Sequence, residues 1–353
     1  MSPIHAAAIL PSRNEASTIS AVTTAVDLAL GAEHAVIVHA DSSDTPTTAG
    51  QFAATPTQAD TIGLTRMERG KGAQILDALR RPELADAEVV LIADTDTRTP
   101  DPAIYRALLD QVQQGAALAV ADYPRHWDEA NLTNHLARPL VAAITGLDVP
   151  QPLAGDLAVS RRALTAARQA VAELPDELAQ CVAGYGIDAF LLLTAATTGP
   201  VNSVHLTDPK QHAGSFSHLP AIFHQAVPVL LHLTAAWSQP AQVRARAVVY
   251  RSTERHLPPG RVRDMVASLK NLTPGPGGYD GRPWPLHLAD AWRAVTSGMP
   301  ASAAAARLWP HYLHRVCDWL TSAQHATPRQ RARMLSAAHD RLRTDLSPAA
   351  GAP

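Results

Sequence analysis

Val89-Val90-Leu91-Ile92-Ala93-Asp94-Thr95-Asp96-Thr97-Arg98-Thr99-Pro100 is the stretch whose reading decides how this chain folds. Five apolar residues in succession predict a strand buried on both faces, as in a parallel sheet covered by helices. Two carboxylates one residue apart stand at its carboxyl end, and a proline closes the segment. Open α/β sheets bind their ligands at such strand ends. Asp-x-Asp there suits a divalent cation carrying a diphosphate, because hard cations take oxygen ligands and phosphate oxygens complete the shell. The same pattern also arises in ordinary strand-end loops, so the flanking sequence has to choose between them.

Upstream the pattern repeats. Ala6 to Leu10 reads as a short apolar strand running into Pro11-Ser12-Arg13-Asn14-Glu15; Ile19, Val22, Val26 and Leu30 then fall in helical register, with Ser17 or Asn14 available as cap. Ala35 to Ala40 is a second buried strand, closed by Asp41-Ser42-Ser43-Asp44. Two strand-loop-helix units in succession imply a parallel sheet with right-handed crossovers, and they set the polar strand ends on one edge. A helix and a short strand near Thr61 to Leu64 follow. Gly70-Lys71-Gly72 then opens a helix, offering an anion backbone N–H groups, the helix dipole and a flexible ammonium. A surface loop with a solvated lysine reads equally well, and the spacing is not that of a Walker loop.

Downstream, Pro102 to Val112 reads as helix, Ala116 to Ala121 as strand, Leu132 to Thr145 as helix, and Gln151 to Val159 as a turn entering a short strand. Asp156 enters that strand directly after Gly155, where a backbone can approach a ligand closely; a carboxylate satisfying nearby N–H groups explains it as well. Asp188 falls in the first turn of an apolar helix, where the dipole alone favours negative charge. Val201 to Leu206 is a further strand, and the loop behind it carries Lys210 and His212. His212 matters only if the fold brings it to Asp96, since imidazole, carboxylate and diphosphate together make an octahedral site for magnesium or manganese.

From about Ser217 the character changes to helix-like stretches at 219–250, 259–270, 285–297, 301–324 and 328–344. The glycine- and proline-rich run Thr273 to Pro283 interrupts them as a lid or connector. The expected organisation is an α/β domain over 1–216, a helical region over 217–346 serving as acceptor lid or dimerisation surface, and a disordered tail over 347–353. Trp284, Trp292, Trp309 and Trp319 are expected to anchor packing or a homodimer interface.

Composition narrows the function classes. The formal charge is −2 with both signs interspersed, so the basic stripe that nucleic acid requires is missing. Lys71, Lys210 and Lys270 are the chain's lysines, which marks their positions. Cys181 and Cys317 stand far apart and read as reduced thiols. No run of ~18 apolar residues predicts a membrane span, and the N-terminus has no charged leader. A cytoplasmic protein is the expectation.

In combination, Pro11, Asn14, Glu15 and Ile19, the Asp41-Ser42-Ser43 turn, Gly70-Lys71-Gly72, and Asp94 with Asp96 resemble, in their order, a nucleotide-sugar-dependent glycosyltransferase of the GT-A type. Thr133-Asn134-His135-Leu136-Ala137-Arg138-Pro139-Leu140, Gln151 to Asp156, and Gly184-Tyr185-Gly186-Ile187-Asp188 resemble the glucosyl-3-phosphoglycerate synthase and mannosylglycerate synthase group more closely. The likeness covers roughly residues 5–225. It implies a Rossmann-like, mostly parallel sheet, Mg2+ or Mn2+, UDP-glucose as the favoured donor, a small-molecule acceptor and retention of anomeric configuration. By position, Pro11, Ser12, Asn14 and Glu15 would line the nucleoside pocket, with Asp41 or Ser42 on the uracil. Gly70 and Lys71 would meet the diphosphate, and Asp94 and Thr95 the ribose or sugar. Asp96 and His212 would ligate the metal. Leu153, Ala154 and Gly155 would surround the donor sugar together with Asp156 and Asp188, where the group has glutamates. Asn131, Thr133, Lys210 and Tyr185 would face the acceptor.

The acceptor side departs from the group. Ala130 and Asn131 replace a Gly-Arg pair, and Lys210-Gln211-His212-Ala213-Gly214 replaces Arg-x-His-x-Asn. Exchanging guanidinium for amide removes a bidentate anion clamp and points away from 3-phosphoglycerate as acceptor. Two other readings remain: an inverting transferase of the same fold with Asp156 or Asp188 as general base, and a non-catalytic module that only binds nucleotide sugars.

Overall fold

A computed structural model describes residues 6–31, 35–212, 215–238, 249–251, 253–272 and 280–346. The tail over 347–353 and the part of the glycine-rich run at 273–279 therefore lie outside the described residues. The chain divides into two compact units, one of residues 1–123 and 153–229, the other of 124–152 and 230–353. The boundary expected at 216/217 falls at 229/230 instead, and 124–152, read as part of the α/β domain, belong with the helices. The reason is packing: Trp127, Leu136 and Leu140 are buried there, and that segment joins the helical core described below.

In chain order the elements are β1 (Ala6–Ser12), α1 (Ile19–Leu30), β2 (Val36–Asp41), α2 (Thr47–Ala53), β3 (Asp60–Leu64), α3 (Lys71–Ala78), β4 (Val89–Ile92), α4 (Pro102–Gln113) and β5 (Leu118–Asp122). After α5 (Arg138–Thr145), in the second unit, come β6 (Leu157–Ser160), α6 (Arg161–Glu173), α7 (Asp176–Ala183), α8 (Ile187–Ala196), β7 (Val201–His205) and α9 (Leu219–Ala235). The chain then runs through α10 (Arg261–Asn271), α11 (Trp284–Thr296), α12 (Ala301–Ala323) and α13 (Pro328–Leu346). No single helix among the described residues is long and apolar enough to cross a bilayer.

The first unit is built on one sheet of order β3-β2-β1-β4-β6-β5-β7. β1, β2, β3 and β4 pair in parallel, as do β5 and β7, whereas β6 is antiparallel to both β4 and β5. The chain leaves β1 toward β2 and β3, then crosses to β4 on the other side, which makes the gap between β1 and β4 the switch point where open sheets bind ligands. Because β6 runs backwards, its amino end lies at the same edge as the carboxyl ends of the other strands. One face is sealed by Val22 and Val26 of α1 with Leu108 and Val112 of α4, packed on Ala8, Leu10, Ile37 and Leu91. α4 begins as the sequence predicts, with Pro102 in the first turn and Asp101 accepting the Ala103 N–H at 2.9 Å. α1 does not take the expected cap. Thr18 stands at its N-cap without a side-chain bond, and Asn14 adopts φ +62° and bonds elsewhere. In α9, Pro228 has no N–H to give, and the carbonyl of His224 one turn back accepts the Cys181 thiol at 3.6 Å.

The second unit is helical. The single helix expected over Leu132 to Thr145 is a π-helical turn, Thr133–Ala137, continued by α5. Pro139 explains the change: it donates no hydrogen bond and clashes with a regular helix at the carbonyl of His135. That carbonyl accepts the Trp284 indole at 2.7 Å, and the Trp319 indole donates to the Trp127 carbonyl at 2.9 Å. Trp284, Trp309 and Trp319 are thus buried inside this unit's own core. Arg138 forks onto Asp148 with bonds of 2.8 and 3.0 Å and lies over Tyr250. Arg331 lies over Trp127, donates to the Ala323 carbonyl at 2.8 Å and pairs with Glu254 at 2.6 Å.

Candidate functional site

The polar strand ends of the first unit meet at the switch point. Behind β1 and β2, the Ser12 hydroxyl lies 2.6 Å from His39 Nε2 and donates to Asp41 Oδ1 at 3.1 Å. The Ser43 N–H also donates to Asp41 Oδ1, at 3.0 Å. Burial lowers His39 to about 4, with the Asp41 charge opposing, so the ring is neutral. The buried Gln74 of α3 donates to the carbonyls of Ser12 and Ala40 at 2.8 and 2.7 Å, tying the two strand ends together. The Ser42 N–H donates to the Ser12 carbonyl at 3.0 Å, and Thr95 Oγ1 donates to the Pro11 carbonyl at 2.8 Å across the switch. Asn14 exchanges hydrogen bonds with Asp44, which also pairs with Arg69 at 2.6 Å. Pro11, Ser12, Asn14, Asp41, Ser42 and Thr95 therefore form one connected polar wall. Gln74 and His39 belong to it although the motifs gave no hint of them.

Beside this wall lies a cluster of opposite charges. Lys71 Nζ, at the start of α3, is 3.0 Å from Asp94 Oδ1 and 3.0 Å from Asp188 Oδ1. Lys210 Nζ is 3.0 Å from Asp94 Oδ2 and 2.8 Å from Asp156 Oδ2. Asp156 is 1 % exposed, and both of its oxygens are used: Oδ1 accepts the Asp94 N–H at 2.9 Å, and Oδ2 accepts the Tyr123 hydroxyl at 3.1 Å besides Lys210. Burial alone would lower both ammonium groups; Asp188 and Asp94 outweigh it at Lys71, and Asp156 and Asp94 at Lys210, so both lie above their ordinary values. Burial raises Asp94, yet Lys210 and Lys71 hold it below its ordinary value. Asp188 is the exception, since burial prevails over Lys71 and pushes it up to about 6.

Two glycines make the cluster possible. A Cβ at Gly155 would overlap the Asp94 carboxylate, and a Cβ at Gly72 would overlap the Val182 carbonyl, where α3 lies against the end of α7. The Gly72 N–H donates to the Gly184 carbonyl at 3.1 Å. Gly70 takes φ +142° at the N-cap of α3. Leu153 and Ala154 complete the turn ahead of Asp156, and the Tyr185 N–H is held by Gln225 Oε1 at 2.8 Å.

Asp96 and His212 come together as expected, with Oδ2 and Nδ1 3.7 Å apart. The loop that carries His212 is drawn in by the Arg98 N–H, which donates to the Gln211 carbonyl at 2.8 Å. Burial raises the Glu15 carboxyl, and the charge of Asp96 adds to it. Lys71 and Lys210 are thus paired with Asp94, Asp156 and Asp188, and Glu15 and Asp96 add negative charge beside them. The donor set fits a divalent cation, because two ligands on one octahedral Mg2+ lie about 3 Å apart and the surplus charge is negative. Asn131 and Thr133 belong to the second unit, where the Asn131 amide donates to the Asp128 carbonyl at 3.0 Å and Thr133 opens the π-helical turn. Lys210, expected toward an acceptor, is engaged by Asp94 and Asp156. Tyr123 was not anticipated, although its place at the end of β5, on the edge shared by Asp94, could have marked it.

The architecture places the chain in the GT-A class of folds: a mostly parallel sheet with flanking helices, and helices in the C-terminal part. Neither a family model nor a curated protein sequence matches the chain. Solved structures of glucosyl-3-phosphoglycerate synthase from Mycobacterium tuberculosis do resemble it. The complex with phosphoglyceric acid superposes with a TM-score of 0.52 at 23 % identity, over 65 % of this chain and 80 % of that one. The complex with Mn2+, UDP and glucosyl-3-phosphoglycerate gives 0.52 at 24 %, again over 65 % and 80 %. A third, with Mn2+, UDP-glucose and glycerol 3-phosphate, gives 0.50 at 23 % over the same shares. The fold is the one these structures have.

Proposed function

We propose that this chain is a metal-dependent glycosyltransferase that moves a hexose, glucose from UDP-glucose in the first place, to a hydroxyl of a small polar acceptor with retention of configuration. The observation that carries this reading is the pairing of Asp96 with His212 at the β1/β4 switch point, beside the Lys71–Asp94–Lys210–Asp156 cluster. The complexes of the similar synthase with Mn2+, UDP, UDP-glucose and phosphoglyceric acid support it.

The polar wall would receive the nucleoside, with Asp41 and Ser42 nearest the base. Asp96 and His212 would hold Mg2+ or Mn2+, which neutralises the diphosphate as it takes up negative charge. Lys71 would exchange one of its two carboxylates for a phosphate oxygen, and Asp94 would accept hydrogen bonds from sugar hydroxyls. The acceptor oxygen then bonds to the anomeric carbon on the face the diphosphate leaves. The bond from that carbon to the phosphate oxygen breaks with its electron pair on oxygen, and the hydroxyl proton passes to that oxygen. Asp156 acts through Asp94 and Lys210, because neither of its oxygens is available to substrate. The work of the chain is positioning and charge compensation.

Asp188 favours one second reading. Its carboxyl, pushed up to about 6, has the proton affinity of a general base for an inverting transfer. Incubation with UDP-, GDP- and ADP-sugars, with and without Mn2+, is the test. Metal-dependent consumption of UDP-glucose is expected, and proton NMR of the product separates retention from inversion. UDP binding with no hydrolysis or transfer would leave a binding module only. Normal turnover of 3-phosphoglycerate would overturn the expectation of a different acceptor.

A further inference from the structure

A second grouping of metal-binding side chains lies within the helical unit. Asp280 stands in the turn ahead of α11, His287 in the first half of α11 and His311 in α12, and one ligand atom from each lies within 4.8 Å of the others. His287 Nε2 is 3.1 Å from Asp280 Oδ1. The two imidazoles stack with centroids 3.7 Å apart and planes 15° from parallel, so one ring has to turn out of the stack for both nitrogens to meet one ion in their own planes.

Three features separate this grouping from an ordinary surface ion pair. First, His287 is only 7 % exposed, with its Nε2 turned to the Asp280 carboxylate, and His311 Nδ1 is a buried atom with no hydrogen-bond partner among the described residues. A buried nitrogen left without a partner is costly, and this one lies beside a second imidazole and a carboxylate. Second, a tetrahedral ion with bonds of about 2.0–2.2 Å spaces its ligands about 3.3 Å apart, close to the His287–Asp280 distance. Third, the surroundings orient the ligands. The Arg282 N–H donates to Asp280 Oδ1 at 3.0 Å, and the Arg282 guanidinium is neutralised by Asp290 at 2.7 Å.

We propose that Asp280, His287 and His311 form a second divalent-metal site, of zinc type, with two imidazoles, one carboxylate and a water as ligands. Two nitrogen ligands favour Zn2+ over Mg2+ or Mn2+, so this site and the Asp96–His212 pair select different ions. Bound metal clips the turn ahead of α11 to α12.

The test uses untagged full-length protein stripped by chelator and titrated with Co2+, whose low-coordinate complexes absorb strongly in the visible. One Co2+ with that absorption is expected both in the wild type and in Asp96→Ala, and one equivalent of Zn2+ should displace it. His311→Gln and the exposed-carboxylate variant Asp280→Asn should each lower Zn2+ affinity at least about tenfold. Zn2+ should raise the melting temperature of the wild type and not that of His311→Gln. No visible absorption in Asp96→Ala, or unchanged affinity in both His311→Gln and Asp280→Asn, would overturn the proposal. Because the signal is read without Asp96, it stands or falls independently of the glycosyltransferase reading.

Discussion

The two units handle charge in opposite ways. In the α/β unit, Lys71 and Lys210 are each shared between two carboxylates, and Glu15 and Asp96 add further negative charge beside them. In the helical unit, Arg138 forks onto Asp148, Arg331 meets Glu254, and Arg255 pairs with Asp128 and Glu129. Two of the chain's three lysines serve the sheet edge, and the helical pairs just named are made by arginines. An ammonium is a point charge that can exchange partners, whereas a guanidinium fork is bound to one geometry. Shared lysines mark the place where a ligand's charges are to enter; forked arginines mark architecture.

The strongest way to break this contrast is Lys210→Met. Lys210 is 4 % exposed and lies between Asp94 and Asp156, so its loss leaves the buried Asp156 carboxylate without its ammonium, beside the partly exposed Asp94. A destabilisation of about 3–5 kcal/mol is expected, read as a lowered urea midpoint by circular dichroism. A change below about 1 kcal/mol would mean that the cluster is not dry. The next effect is one of pH. Asp188, pushed up to about 6 by burial, binds its proton more tightly in the folded chain than in the unfolded one, where 3.8 applies. Its contribution to stability is complete below pH 3.8 and is lost as the pH rises through 6, about 3 kcal/mol in all. At Asp94, Lys210 and Lys71 outweigh burial and hold the carboxyl low, so that group acts in the opposite sense and only below pH 3.8. Asp188→Asn should flatten the profile between pH 4 and 6, and a profile identical to wild type would remove Asp188 from the account.

How much of this was legible depends on the range of the interaction. Asp94, Asp96 and the helix-opening Gly70-Lys71-Gly72 could be read because strand, turn and helix are local patterns, and an apolar strand announces which residue ends it. The metal role of His212 rested on a resemblance, yet its approach to Asp96 is set by one backbone bond between Arg98 and Gln211. The reversed strand β6 could not be read: thirty-odd residues of helix and turn between β5 and β6 carry no sign of direction, and direction is what brings Asp156 to the edge. Nor could Gln74, a polar residue in an apolar helix whose partners are two carbonyls of distant strands. The two-unit boundary was missed because the segment 124–152 has helical patterning that fits either unit, and only burial of Trp127 against Arg331 and the Trp319 indole assigns it.

Smaller changes sharpen the comparison. Gly155→Ala sets a methyl against the Asp94 carboxylate. Overpacking of this kind costs about 1–3 kcal/mol, and loss of UDP-glucose turnover should exceed the loss of stability. Arg331→Lys is the counterpart in the helical unit. It keeps the charge opposite Glu254 but removes the planar group over Trp127 and the bond to the Ala323 carbonyl. All six tryptophans lie in this unit, so indole fluorescence follows it, and a midpoint shift worth about 1–2 kcal/mol is expected.

The smallest effect on stability belongs to Asp96→Ala, and that is what makes it decisive. Asp96 is partly exposed and its contact with His212 is 3.7 Å, longer than a hydrogen bond. Removing it relieves crowding with Glu15, whose carboxyl Asp96 helps to raise. Stability should therefore change by less than about 1 kcal/mol, the range of an exposed pair. Calorimetry with UDP should nonetheless show the wild type binding more tightly in Mn2+ than in its absence, and the variant losing that gain. If Asp96→Ala destabilised the fold as Lys210→Met does, Asp96 would belong to the structural cluster. If it left the metal-dependent part of UDP binding intact, the surplus of negative charge at the sheet edge would need another explanation than a cation.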